Sequence, residues 1–128
     1  MDAVQIGIAV VEFEGCYLVG YRGSGQVLAG KAEFPGGKCE SGESPEACAV
    51  RECQEETGLV VSAEQQLQQV VFEYDHGTVA LHFWLCHPVE PECEPGGEFR
   101  WIAAEKLRDL PFPEGNSSVL ELLANSDN

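Results

Sequence analysis

Between Ser44 and Gly58 the chain is written as a helix, and it is a helix that local stability alone would not select. Ser44 is a preferred N-cap residue, Pro45 suits the first helical position, and Gly58 can take the left-handed conformation that ends a helix. These signals predict a helix from about Pro45 to Thr57. At roughly 100° per residue, Ala47, Val50 and Cys53 share one face, and Glu52, Glu55 and Glu56 crowd an arc of about 100° on the other. Glu52 and Glu56 are four apart and alike in charge, which costs about 0.3 kcal/mol, and all three glutamates sit in the last two turns, where the helix dipole disfavours anions. A solvated acidic face is one reading of such a pattern. The other is function, since a surface that breaks local rules is where function is expected, and convergent carboxylates are what a hard divalent cation such as Mg²⁺, or Mn²⁺ in its place, requires.

The wider spacing favours the second reading. Gly37-Lys-Cys-Glu-Ser-Gly-Glu43 is followed by seven residues and then by Arg51-Glu52-Cys53-Gln54-Glu55-Glu56-Thr57-Gly58-Leu59. This stretch resembles the Nudix box, the signature of the Nudix hydrolases, and every fixed position matches. Cys53 stands in a slot usually filled by an aliphatic residue, and a free cysteine, being a small hydrophobe, packs there.

Charge narrows the partners. The 128 residues carry 22 Asp and Glu against 7 Lys and Arg, a net charge of −15, which argues against a nucleic-acid backbone or an anionic membrane surface as partner. A polyanionic small molecule would need bound metal to offset the repulsion. No apolar run approaches the ~18 residues of a membrane span. The six cysteines form no C-x-x-C pair and no basic, apolar leader opens the chain, so reduced thiols in a cytoplasmic protein are expected and zinc is disfavoured. The length predicts one domain over residues 1–128; a monomer and a homodimer are both compatible with it.

Along the chain, Val4 to Phe13 and Cys16 to Tyr21 read as two antiparallel strands around a Glu14-Gly15 turn. Arg22 to Lys31 is a glycine-rich loop, with Arg22 at a strand end where it is either a phosphate or base contact or a solvated loop residue. Ala32-Glu33-Phe34 is a short strand running into Pro35-Gly36-Gly37, whose glycines let backbone carbonyls approach a ligand. Lys38 follows as a counter-charge or a phosphate contact. Val60-Val61 and Gln69 to Tyr74 read as extended, and Asp75-His76-Gly77 as the turn of a hairpin continuing through Thr78 to Cys86. His82, on one strand face with Trp84, is assigned no role. Pro88 to Gly97 is a loop, Glu98 to Ile102 a last strand, Ala103 to Leu110 a short helix, Asn116 to Leu123 a closing helix, and Asn125 to Asn128 a frayed tail.

The resemblance implies an α/β Nudix fold, a mixed β-sheet sandwiched between α-helices, and metal-assisted hydrolysis of a nucleoside diphosphate linked to a further group. It assigns Glu52, Glu55 and Glu56 as metal ligands, the Gly36 carbonyl as another, Arg51 as the residue orienting a neighbouring glutamate, and Glu43 a supporting place. The general base is Glu52 itself or a late-loop glutamate, Glu94 or Glu98. Outside the box, Glu33-Phe-Pro-Gly-Gly-Lys38, Phe83-Trp-Leu85 and Phe112-Pro-Glu-Gly-Asn116 look like words of the MutT-type subgroup, pyrophosphohydrolases of oxidised guanine nucleoside triphosphates such as 8-oxo-dGTP. On that likeness Asn116 hydrogen-bonds the purine, Arg22 contacts the base region and Phe34 walls the nucleobase pocket. Asn116 also suits the N-cap of the last helix. Where the best-known members carry a further base-contacting Arg, this chain has Gly77, which leaves a modified pyrimidine triphosphate or ADP-ribose open as substrates. A binding module without catalysis is the rival from another class.

Overall fold

The computed structural model describes residues 3–23, 28–75 and 77–125. Strand β1 (Val4–Phe13) and strand β2 (Cys16–Tyr21) are joined by a turn with Glu14 and Gly15 both at positive φ, 51° and 80°. Two consecutive left-handed residues give the turn whose twist matches a right-twisted hairpin. Two short strands follow, β3 (Ala32–Glu33) and β4 (Gly36–Lys38), then helix α1 (Pro45–Thr57), the long hairpin of β5 (Val61–Tyr74) and β6 (Gly77–Pro88), strand β7 (Arg100–Ala103) and helix α2 (Ser117–Asn125).

Among the described residues the sheet has the order β3-β2-β1-β6-β5, with β4 also on β1 and β7 also on β2. The sheet is mixed, because β1 runs parallel to β6 from Val4↔Val79 to Val11↔Cys86 while the other pairings are antiparallel. Alternation along β1 feeds two cores. Ile8 and Val10 pack with Phe83, Val119 and Leu123 on the α2 side, and Ala9 and Val11 with Ala49, Cys53 and Cys86 on the α1 side. The sheet therefore lies between the two helices, as expected.

Several boundaries move, each for a physical reason. The residues from Val61 to Tyr74 form one strand, not two segments, because irregularities between Ala63 and Gln65 and between Gln66 and Gln68 break the two-residue period in the glutamine run. Ala47 is exposed, and the buried side of α1 is Cys48, Ala49, Cys53 and Thr57. Gly7 decides this, since α1 lies so close over it that a Cβ there would stand 2.6 Å from the Pro45 carbonyl oxygen and 2.9 Å from the Ala49 nitrogen. The last strand begins at Arg100, not Glu98, and residues 104–109 wind as a 3₁₀ helix. Helix α2 starts at Ser117 after a 3₁₀ turn over Glu114–Asn116, so Asn116 belongs to the turn. His76 of the hairpin turn, residues 24–27 of the glycine-rich loop and the end of the tail from 126 to 128 lie outside the described residues.

The six cysteines carry free thiols. Burial pushes the Cys48 and Cys86 thiols up to about 12 and that of Cys53 to about 11, so these three pack as small hydrophobes. Buried His82 meets the side-chain oxygen Oε1 of Gln5 through Nε2 at 2.7 Å, and burial lowers its pKa, so it is a satisfied core histidine. Among the described residues no helix is long and apolar enough to cross a membrane.

Candidate active site

Helix α1 begins and ends on the residues that its sequence provides for the purpose. Ser44 accepts the Ala47 amide through Oγ at 3.1 Å, and Gly58, at φ 81°, returns its N–H to the Gln54 carbonyl. With both ends defined, the acidic face is held in a fixed rotation over β4. Arg51 lies at its centre and grips Glu43 in two-pronged fashion, Nε to Oε2 at 2.7 Å and Nη2 to Oε1 at 2.9 Å. Its Nη1 donates to Glu52 at 3.1 Å and Glu55 at 3.0 Å, and its Nη2 also reaches the Lys38 carbonyl at 3.2 Å. One guanidinium thus orients three carboxylates, a geometry that arginine offers and lysine does not.

The hydrogen bond from Arg51, followed by that from the Glu40 amide, holds the Glu43 carboxyl down at about 2 against an ordinary 4.5. A depressed acid stabilises the fold above its unfolded pKa and loses that contribution as pH falls toward the folded value. The melting temperature of the parent should therefore drop more steeply from pH 5 to pH 2 than that of Glu43→Gln; parallel curves in an acid melting series would contradict the pairing.

Glu56 is placed differently. Its Oε1 accepts the Gly36 amide at 3.2 Å, and the Glu52 carboxylate is a near neighbour. Burial, and then the nearby Glu33 and Glu52 charges, push it up to about 8, although the Gly36 amide pulls the other way. Glu52 in turn lies against Gly37, where a Cβ would stand 2.6 and 2.7 Å from its two carboxylate oxygens. Gly37 gives Glu52 its room, whereas a Cβ on Gly36 would stand 2.6 Å from the Gly7 carbonyl oxygen, so Gly36 is what lets β4 lie this close to β1. The amides of Ala9 and Cys39 donate to the Pro35 and Gln5 backbone carbonyls, so in the antiparallel alternation Gly36, opposite Ile8, turns its N–H and its carbonyl away from β1, and the N–H meets Glu56.

Glu52 and Glu56 therefore converge on the Gly36-Gly37 edge, while Glu55, with 57% of its side chain exposed, stands with Arg51. Among the described residues no three His, Cys, Asp or Glu side chains lie close enough to enclose an ion. The oxygen-only set nonetheless fits a hard divalent cation, because burial and the neighbouring carboxylates disfavour the ionised form of Glu56 unless a positive charge offsets them.

The edge opens into a cavity of about 580 Å³, lined by Gly36, Gly37, Lys38, Glu52 and Glu56 where β4 pairs with Ile6 to Ile8, and by Tyr74, Gly77, Pro113 and Asn116 where β6 begins beyond the Val4↔Val79 pair and Tyr74 meets the Gly115 amide. Arg22 and Phe34 line it too. Arg22 pairs with Glu33 at 3.0 Å, Phe34 is 4% exposed with its ring 4.9 Å from that of Phe112, and Asn116 donates from Nδ2 to the Pro113 carbonyl at 3.4 Å. So Arg22, Phe34, Lys38 and Asn116, far apart in sequence, share one cavity with the acidic pair.

Glu94 and Glu98 are exposed and outside the cavity lining. Their loop nonetheless docks on the C-terminal end of α1, where the Gly96 amide donates to the Thr57 carbonyl at 2.7 Å. Gly97, at φ 63°, lies so near the Glu56 carbonyl oxygen that a Cβ would stand 3.0 Å from it, and Glu98 follows directly.

Two cavity residues were not singled out by sequence reasoning. Glu33, whose pKa is raised by burial against the opposing pull of Arg22, adds a third carboxylate near Glu56. Its only signal was its place in the Glu33-Phe-Pro-Gly-Gly-Lys38 word. Tyr74 gave no signal, being one more aromatic at the end of a strand.

The chain can now be set beside known proteins. The family model described as NUDIX domain matches residues 7–122. The chain is 32% identical to an 8-oxo-dGTP diphosphatase of Escherichia coli strain K12, covering 96% of this chain and 98% of that one. It is 35% identical to an 8-oxo-dGTP diphosphatase of Haemophilus influenzae, covering 95% and 90%. In fold it superposes on the crystal structure of the MutT protein from Methanosarcina mazei Go1 with a TM-score of 0.82 at 24% identity, over 98% of this chain and 96% of the other. An acidic helix with its arginine, glycine edge and caps, matched over almost the whole length, places this chain in the NUDIX domain family of hydrolases.

Proposed function

We propose that this chain, as one NUDIX domain, is a cytoplasmic Mg²⁺-dependent pyrophosphohydrolase that cleaves a nucleoside triphosphate carrying an oxidised purine, such as 8-oxo-dGTP, to the monophosphate and pyrophosphate. Mn²⁺ serves in place of Mg²⁺. The observation that carries the reading is one cavity with an acidic pair at one end and a buried amide side chain at the other, spanned by aromatic and basic residues. That sequence of chemistries matches a triphosphate at one end and a base at the other.

Family enzymes generally depend on a divalent metal. When bound, the ion supplies charge neutralisation at the phosphate oxygens and a water of lowered pKa. Glu52, Glu55, Glu56 and the Gly36 carbonyl would hold it, and Arg51 keeps Glu52 and Glu55 aimed. Glu52, or Glu98 from the docked loop, accepts the proton of the attacking water. The bond that breaks is the anhydride between the α and β phosphorus atoms; the hydroxyl ends on one and the bridging oxygen stays with the other. Lys38 stands where it can pair with phosphate. Arg22 and Phe34 wall the base, and the Asn116 amide, both donor and acceptor, suits a purine edge.

A panel of 8-oxo-dGTP, dGTP, CTP, an oxidised pyrimidine triphosphate and ADP-ribose, each with Mg²⁺ and scored for pyrophosphate and phosphate, tests the reading. The highest kcat/KM is expected on 8-oxo-dGTP with pyrophosphate as product. Preferred cleavage of ADP-ribose or of a pyrimidine nucleotide would replace the substrate, and no turnover of any would leave a binding module.

A further inference from the structure

Tyr74 lines the cavity beside Gly77, Pro113 and Asn116, and its ring packs at a tilt of 43° against that of Phe72 with centroids 4.7 Å apart. It is the last residue of β5, directly opposite Gly77. Its phenol oxygen accepts the backbone N–H of Gly115 at 3.0 Å. Gly115 is buried, and the fit is tight: a Cβ on it would strike the Tyr74 oxygen and stand 2.8 Å from Leu81 Cδ1. This N–H belongs to the first turn after Pro113, where helical backbone donors have no partner within their own turn. A side chain 41 residues away in sequence supplies the acceptor.

The geometry points to Tyr74 as a positioning residue for base recognition: by holding the Gly115 amide it fixes the Glu114–Asn116 turn, and hence the Asn116 side chain, against the hairpin that forms the opposite wall. The inference rests on the nucleotide reading above. Asn116 follows Gly115 directly, and among the described residues its side chain makes one long contact, 3.4 Å, to the Pro113 carbonyl. Its aim over the cavity thus depends on the turn that carries it. A second link, Ser118 Oγ to Gln68 Oε1 at 2.6 Å, lies outside the cavity lining and tethers α2 to β5 through a bond to neither Gly115 nor Asn116. It provides a control for mere tethering.

In Tyr74→Phe the ring stays and the Gly115 amide is left buried without its acceptor. KM for the preferred triphosphate should rise roughly 5–10-fold, the factor for one neutral hydrogen bond, with kcat within about twofold. The preference for oxidised over ordinary dGTP should fall, while inhibition by inorganic pyrophosphate, which has no base, stays unchanged. In an Asn116→Ala background Tyr74→Phe should add almost nothing, because the two act through one contact. Gln68→Ala should leave KM and base preference as in the parent.

Equal losses of kcat and of pyrophosphate affinity, additive effects of Tyr74→Phe and Asn116→Ala, or the same base-specific loss in Gln68→Ala would each overturn the inference. A parent that hydrolyses no triphosphate would refute the functional reading instead. Tyr74 is then judged by nucleoside monophosphate binding, which Tyr74→Phe should weaken by the same factor, equal affinities overturning it. If Tyr74→Phe does not fold, hydrogen exchange of the Gly115 amide in the parent decides: slowing on monophosphate binding is expected, and unchanged exchange refutes the clasp.

Discussion

Glu56→Gln should hydrolyse its substrate about 10²–10⁴-fold more slowly than the parent and yet melt at a higher temperature when a chelator keeps divalent ions away. Both halves come from one carboxylate. The substitution keeps the shape and the hydrogen-bonding oxygen that receives the Gly36 amide, but removes the negative charge that the proposed ion needs. Without an ion that charge is a burden, because burial and the neighbouring Glu33 and Glu52 raise the Glu56 pKa from 4.5 to about 8. The folded state therefore holds a proton that the unfolded chain releases, and stability falls as pH rises from about 4.5 to about 8. Glutamine does not titrate, so the melting temperatures of variant and parent should diverge across that window and run parallel above it. A gain on the order of 1 kcal/mol is expected, well below the full shift because solvent screens a half-buried group. Activity above a tenth of the parent's would refute the metal role. Melting curves that stay together from pH 5 to pH 8 would refute the electrostatic account.

Gly7→Ala should destabilise the protein by about 3 kcal/mol, the upper end of overpacking costs, and lower activity with it. A methyl at this position would stand 2.6 Å from the Pro45 carbonyl oxygen, 2.8 Å from Cys48 Cβ and 2.9 Å from the Ala49 nitrogen. Two of these neighbours are backbone atoms at the start of α1, so no rotamer change relieves the clash. Relief requires the N-terminal turn of the helix to move off β1. Gly7 pairs with Gly37 across β1 and β4, and Gly37 is where Glu52 lies. The same shift would therefore separate the acidic face from the glycine edge. Chemical denaturation with parallel kinetics checks this; a variant as stable and as active as the parent would show that the close approach is dispensable.

These effects differ in how far they could be foreseen. The limits of α1 follow from Ser44, Pro45 and Gly58, and its capping bonds span three and four residues. The acidic face, its arginine and the likeness of the whole stretch to the Nudix box are equally local. Period-two alternation in β1 and the paired left-handed residues at Glu14-Gly15 also worked at short range. Reading failed where short-range signals compete. Two register irregularities mask the continuity of β5, and the apolar character of Ala47 points inward while the close approach of α1 over Gly7 turns Cys48 and Ala49 to the sheet instead. Asn116 suited an N-cap by residue type, but the 3₁₀ turn before α2 gave it a position lining the cavity.

The sequence by itself determined a capped helix carrying Arg51, Glu52, Glu55 and Glu56 on one face, and with it the family and the class of chemistry. Backbone capping and side-chain facing on a helix are set within four residues, so no tertiary contact is needed to read them. Only the tertiary structure decided which carboxylates meet. Glu52 and Glu56 converge because β4, held on β1, leaves room for Glu52 at Gly37 and turns the Gly36 amide to Glu56, while Glu55 is left to Arg51. It also decided what faces them across the cavity, since Arg22, Phe34, Tyr74 and Asn116 come together only when the sheet and the final turn are assembled. Such contacts depend on close approach between segments tens of residues apart, and nothing in the residue types of any one segment specifies them.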